Sequence, residues 1–185
     1  MAILSRNRIS LLLVFILFTG SILQNTYAAN AASCDWEFGF KGGLSFANSD
    51  ESFNKYDIYA NYRLPWAWYW GESMQIGTNL TAAASMLDAG NDIGMACSLG
   101  FEFVFQAEKF PLELRAGEAL TLLSEVRMGE EDFGGPVQFT THIGLDYYFL
   151  EKLRAVVEVQ HTSNGGLYSE NPGINTIMFG LLYQF

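Results

Sequence analysis

Past residue 35 the chain alternates apolar and polar residues with a period of two, the pattern of strands that show one face to a nonpolar phase. Trp36, Phe38, Phe40, Leu44 and Phe46 hold one parity; Glu37, Gly39, Lys41, Gly43 and Ser45 hold the other. The alternation recurs from Tyr56 to Leu64, Ile76 to Met86, Ile93 to Phe105, Leu112 to Leu122, Phe139 to Phe149, Val157 to Val159 and Ile177 to Phe185, with Glu118 a polar exception on the apolar parity. These are eight segments of roughly ten residues, the length a tilted strand needs to cross a bilayer. No window in this part of the chain holds the roughly 20 continuous apolar residues of a transmembrane helix.

A soluble sandwich would also alternate. Three features favour a barrel instead. The apolar face is rich in aromatics and is present on every strand, as a lipid-facing band requires. The last residue, Phe185, shares the apolar parity of Tyr183 and Leu181 and resembles the terminal signature of outer-membrane barrels. And the chain opens with Arg6 and Arg8, the apolar run "ISLLLVFILFTGSIL" and small residues around Ala29-Asn30-Ala31, the anatomy of a secretory signal. The expected organisation is a cleaved signal over 1–31, leaving about 154 residues, and one domain over 32–185. The fold class is all-β: an eight-stranded antiparallel transmembrane β-barrel in the outer membrane of a Gram-negative bacterium. A closed barrel satisfies every backbone hydrogen bond in lipid. With eight strands its interior is filled by side chains, so no pore is expected. Lys41, Asp57, Arg63, Glu102, Asp146 and Glu158 have inward parity and are expected to pair there.

Charge and cysteines narrow the picture. The net charge is −10, and the signal removes two of the ten basic residues and none of the acidic ones. That excludes nucleic acid as a partner, because such binding needs basic surface. Cys34 would allow a lipoprotein site, although the apolar run ends well upstream. Cys97 reads as lipid-facing, and a Cys34–Cys97 disulfide is not expected, since their strands are not neighbours. With a periplasmic N-terminus, the longer links near 47–53, near 87–92, at 124–137 and after Ser163 fall outside. The "LEKLR" turn at 150–154 and "PWAWYW" at 65–70 fall at the periplasmic end. Trp66, Trp68 and Trp70 fit an interfacial aromatic belt better than a ligand-stacking site.

One stretch, "EVQHTSNGGLYSENPGIN" at 158–175, carries candidate chemistry. His161 and Ser163 share the lipid-facing parity of Val157 and Val159, and Asn175 shares that of Ile177 on the returning strand. Three polar groups thus converge on a surface that should be apolar, near the outer end of a hairpin. Polar groups facing hydrocarbon are costly and point to function. Serine is a weak nucleophile that needs a neighbouring base, which His161 can be, and the base needs a third group to hold its tautomer. Asn164 and the backbone N–H groups of "NGG" could meet a developing oxyanion. A polar turn built of ordinary turn residues is the competing reading. His142, on inward parity beside Gln138 and Asp146, reads as an interior histidine. Glu130, Glu131 and Asp132 read as a solvated loop rather than a cation site.

"HTSNGGL", "NPGIN" and the closing "Y-Q-F", with "LPW" at 64–66, "GGPVQF" at 134–139 and "FTTHIGLDY" at 139–147, resemble the pattern of the PagL-like lipid A 3-O-deacylases. The resemblance covers most of the mature chain, and its C-terminal motif is the specific part. It implies an eight-stranded outer-membrane barrel that hydrolyses the ester-linked 3-O acyl chain of lipid A. It also implies that His161 is the base, Ser163 the nucleophile, and Asn164 with the Gly166 backbone N–H the oxyanion donors. The family's acidic third member is Asn175 here. Asparagine can orient an imidazole but cannot offset its charge, so slow activity is expected, with Glu170 the alternative third member if its loop folds back. Lipid A of the outer-leaflet lipopolysaccharide is the implied partner. No cofactor and no metal are expected, because the sequence holds no ligand-spaced cluster. A homodimer, a non-catalytic structural or lipid-binding barrel, and an esterase for another lipid acyl ester stay open.

Overall fold

The computed structural model describes residues 36–46, 51–71, 73–107 and 110–185. The signal expected over 1–31, and Cys34, lie outside them. Eight long strands close into the expected antiparallel barrel: β1 (Trp36–Ser45), β2 (Asn54–Trp70), β3 (Met74–Ala89), β4 (Asp92–Ala107), β5 (Leu112–Leu123), β8 (Val137–Leu150), β9 (Leu153–Ser163) and β10 (Ile174–Gln184). Each pairs with its neighbour in the chain, and β10 closes on β1. Two further short strands, β6 (Arg127–Met128) and β7 (Glu131–Asp132), form a hairpin inside the β5–β8 loop.

The parity reading holds along the wall. Ile58 is 68% exposed and Asp57, beside it, 1%, the inverse of a water-soluble protein and what a barrel in lipid requires. Cys97 is exposed on the outer face. Inside, carboxylates and cations pair in layers. Lys41 Nζ lies 2.6 Å from Glu158 and 3.8 Å from Asp57. Arg115 reaches Asp146 at 2.9 Å, Glu102 at 3.5 Å and Glu158 at 3.8 Å. Arg154 joins Glu37 and Glu113. Arg63 is 3.9 Å from Glu37. His142 Nε2 sits 3.2 Å from Glu102, an interior histidine as expected. The Tyr59 ring lies 4.5 Å from Lys41 Nζ, in space left by Gly39, where a Cβ would meet the ring at 2.4 Å. Among these groups lies a cavity of about 30 Å³, room for a few waters and far too small for a channel.

A charge shared this widely should be costly to remove. Arg115→Met leaves three buried carboxylates short of a cation, and breaking a buried pair from one side costs about 3–5 kcal/mol. The urea midpoint of the folded band on a heat-modifiable gel, for protein in detergent micelles, should fall accordingly.

Three local expectations are corrected. Strand β2 does not stop near Leu64 but runs to Trp70 through a register shift between Arg63 and Ala67. Pro65 sits in that shift, and a proline, lacking an N–H, is accommodated at a bulge; Thr78 Oγ1 donates to the Trp66 carbonyl at 2.9 Å across it. The link near 87–92 is not a long loop but a tight turn at Gly90–Asn91, where Gly90 has φ +76° and donates its N–H to Asp88 Oδ1. The 124–137 loop is not solvated throughout, and Glu131 within it is buried. Its hairpin drives Met128 and Phe133 into an apolar plug with Phe53, Leu87, Leu123 and Ile174. On the rim, Arg127 Nε donates to Asp132 at 2.7 Å. The Gly134 N–H and then Arg127 hold the Asp132 carboxyl below its ordinary range, so that acid belongs to the hairpin.

The segments 51–53, 90–91, 124–136 and 164–173 share one end of the barrel, and the turn at 151–152 lies at the other. Around the turn end Trp36, Phe38, Tyr62, Tyr183 and Phe185 pack ring against ring, with centroids 4.9–6.0 Å apart. Trp66 and Trp70 are exposed near them, and Trp68 packs against Phe103 at 6.4 Å.

Candidate active site

Strands β9 and β10 meet in a register that sets His161 directly opposite Asn175. Their lumen-facing neighbours, Thr162, Ile174 and Thr176, are buried. His161 and Asn175 therefore both point outward, and their side chains meet: His161 Nδ1 and Asn175 Oδ1 are 2.9 Å apart. The amide oxygen can only accept, so Nδ1 carries the proton and Nε2 keeps its lone pair. Nε2 is thus the nitrogen able to take a proton.

Ser163 lies two residues further along the same face of β9, opposite Phe139 of β8. Two residues of strand span about 6.6 Å, within reach of a histidine and a serine side chain. No hydrogen bond joins the two side chains among the described residues. Unliganded catalytic pairs are often this loose and tighten around substrate.

Beneath the site, on the lumen side, a chain of hydroxyls ties the strands together. Ser98 meets Thr121 at 2.9 Å, Thr121 meets Thr140 at 2.8 Å, and Thr140 meets Thr162 at 2.9 Å. Thr162 stands between His161 and Ser163 in sequence, so this chain pins the backbone that carries both.

The loop after Ser163 is organised differently from the sequence-based expectation. Asn164 is fully buried. Its side-chain amide donates to the Phe133 carbonyl at 3.1 Å and the Glu170 carbonyl at 2.6 Å, and its Oδ1 accepts the Gly166 N–H at 2.8 Å. Its backbone N–H goes to Asn171 Oδ1 at 2.9 Å. Neither expected oxyanion donor, Asn164 or the Gly166 N–H, is therefore free as the loop is arranged: Asn164 fastens the Ser163 loop to the plug hairpin. Gly165 N–H, exposed and beside it, has no acceptor among the described residues.

Glu170, the alternative third member, is also not at the imidazole. Its side chain is exposed, its carbonyl is held by Asn164, and His161 Nδ1 is already taken by Asn175.

The sequence reading missed Gly173. It has φ +70°, and a Cβ built there would lie 3.2 Å from His161 Cε1 and 3.8 Å from the Ser163 Cβ. The only hint in the sequence was its place in "NPG", which reads as any turn. Gly173→Ala should cost about 1–2 kcal/mol from the left-handed backbone alone. It should also displace the imidazole, seen as a shift of the His161 ring resonances beside a lowered urea midpoint.

Among the described residues no group of three or more His, Cys, Asp or Glu side chains could hold a metal ion. The arrangement is a histidine, a serine and an asparagine gathered on the apolar outer wall.

The family model described as "Lipid A 3-O-deacylase (PagL)" matches residues 54–184. A curated relative, the lipid A deacylase PagL of Bordetella bronchiseptica, is 27% identical over 137 residues, which is 69% of this chain and 75% of that protein. The crystal structure of the outer membrane enzyme PagL superposes with a TM-score of 0.71 at 18% identity, over 80% of this chain and 99% of that one. The N-terminal β-barrel domain of Pseudomonas aeruginosa OprF follows at 0.53 and 15%, over 83% and 100%. At these identities the two superpositions speak for the barrel alone.

Proposed function

Because the chain belongs to the lipid A 3-O-deacylase (PagL) family, we propose that it is an outer-membrane esterase that releases the ester-linked 3-O acyl chain of lipid A, with Ser163 as nucleophile and His161 as base. The loop end faces outward in this reading, so the site meets the outer leaflet. The observation that carries it is the 2.9 Å contact from His161 Nδ1 to Asn175 Oδ1, which leaves Nε2 open on the face that bears Ser163.

The steps follow from those positions. Nε2 takes the Ser163 hydroxyl proton as Oγ attacks the ester carbonyl. Gly165 N–H is the donor left on the loop for the oxyanion, and Asn164 holds that loop in place. When the tetrahedral intermediate collapses, the sugar oxygen leaves with the proton from Nε2, and the acyl chain stays on Ser163. Water, deprotonated by Nε2, attacks that acyl-serine. The free fatty acid departs, and the proton returns to Ser163 Oγ. Asn175 holds the ring throughout but adds no charge, so the reaction is slow for a triad.

A second reading, a non-catalytic barrel on the same scaffold, is favoured by the neutral Asn175 and by the missing His161–Ser163 hydrogen bond. Full-length protein in detergent, offered lipid A and phospholipid separately, decides between them through the fatty acid released. Release of one chain from lipid A alone is expected. Release from neither supports the non-catalytic barrel, and release from phospholipid alone makes it a different esterase.

A further inference from the structure

One row of polar side chains crosses four neighbouring strands of the outer wall. Glu118 of β5 stands opposite Thr141 of β8, Thr141 opposite His161 of β9, and His161 opposite Asn175 of β10. Phe101 of β4 lies beyond Glu118. Beyond Asn175, the Phe46 N–H donates to its carbonyl. Both phenylalanines are exposed, so the row is a polar break closed by an aromatic side chain on each side. Register partners have Cα atoms about 4.5–5.5 Å apart, which puts Glu118 about 10 Å from His161 with only the small Thr141 between.

Glu118 is exposed on that wall, and among the described residues it has no hydrogen bond and no ion pair. The lumen shows how this chain treats structural carboxylates: Glu37, Asp57, Glu102, Glu113, Asp146 and Glu158 each have a cation within 4 Å. Glu118 has none and faces hydrocarbon, where an acidic side chain is expensive and points to function.

We propose that Glu118 is a positioning residue for His161: from two strands away it stabilises the imidazolium that forms when His161 takes the serine proton, the part of a third carboxylate's work that neutral Asn175 cannot do. This rests on the reading of His161 as the base. The other groups facing the ring are uncharged: Val159 and Ser163 on its own strand, Thr141 on β8, Asn175 and Ile177 on β10, and Gly173. Glu170 is exposed on the loop with its carbonyl tied to Asn164. Glu158 lies on the lumen side of the wall, tied to Lys41. At about 10 Å and an effective dielectric of about 20, a unit charge changes such an equilibrium roughly tenfold.

A charge series at position 118 tests this in the full-length barrel, with folding checked by heat-modifiable mobility. Glu118→Asp keeps the charge, Glu118→Gln removes it and Glu118→Lys reverses it. The His161 ring titration, followed by NMR in micelles, should stay in place for the first, fall by about one pH unit for the second and by about two for the third. The kcat for acyl release should fall about tenfold in Glu118→Gln with KM unchanged and recover in Glu118→Asp. An unmoved His161 midpoint in Glu118→Gln overturns the proposal, as does a rise in KM alone, which would make Glu118 a substrate contact. A midpoint that follows charge in a barrel that releases no acyl chain keeps the coupling and defeats the deacylase reading instead.

Discussion

Asn175→Asp should raise the rate of acyl release about thirtyfold. The substitution is isosteric, so the 2.9 Å contact to His161 Nδ1 survives and only the charge changes. A hydrogen bond to a charged partner contributes about 1.5–3 kcal/mol, against about 1 for a neutral one. On a wall with little water the charged bond falls at the top of its range, so the added stabilisation of the imidazolium is about 2 kcal/mol, and each 1.36 kcal/mol is tenfold. The ceiling is the roughly 10⁴-fold loss seen when a serine protease triad exchanges aspartate for asparagine. That loss includes a wrong tautomer. Here the Asn175 oxygen already holds the right one, so the gain should stop well short of the ceiling. Initial rates on lipid A in mixed micelles measure it. An unchanged or lower rate would mean that the charge on His161 does not limit the reaction.

Ser163→Ala should reduce kcat by at least about 10⁴, the scale on which losing a nucleophile acts in serine hydrolases. Stability should barely move, because the Ser163 side chain makes no hydrogen bond among the described residues and points away from the lumen network. The gel mobility of the folded barrel should match wild type. A residual rate above one per cent of wild type would remove Ser163 from the nucleophile's role.

Much of this architecture is legible in the chain because a period of two leaves no intermediate orientation. Once Val157 and Val159 face lipid, His161 and Ser163 must too, and the β9–β10 hairpin brings Asn175 alongside. Pairing across longer connections is different. That Thr141 falls between Glu118 and His161 depends on the β5–β8 register, which parity alone leaves free to slide by two residues at a time. Glu118 therefore stood out as an exception without its meaning being visible. The plug formed by Met128 and Phe133 was hidden for another reason: a loop rich in Gly, Glu and Asp gives no periodic sign that two of its apolar side chains turn inward. The partners of Asn164 were hidden because an asparagine after a candidate nucleophile offers the same donors to an oxyanion as to neighbouring carbonyls. Only the fold reveals that the Phe133 and Glu170 carbonyls are within reach. Pro65 marked the end of a strand to a reader of propensities, where the barrel instead absorbs it in a bulge and keeps the strand going to Trp70.

The most direct measurement is the lipid A mass spectrum of one outer-membrane-bearing host expressing either the wild-type chain or Ser163→Ala at equal barrel levels. In the wild-type sample a fraction of the lipid A should be lighter by one ester-linked acyl chain, missing from the 3-position, and in the serine variant that species should be absent. Two identical spectra, shifted or unshifted, would contradict an esterase acting through Ser163.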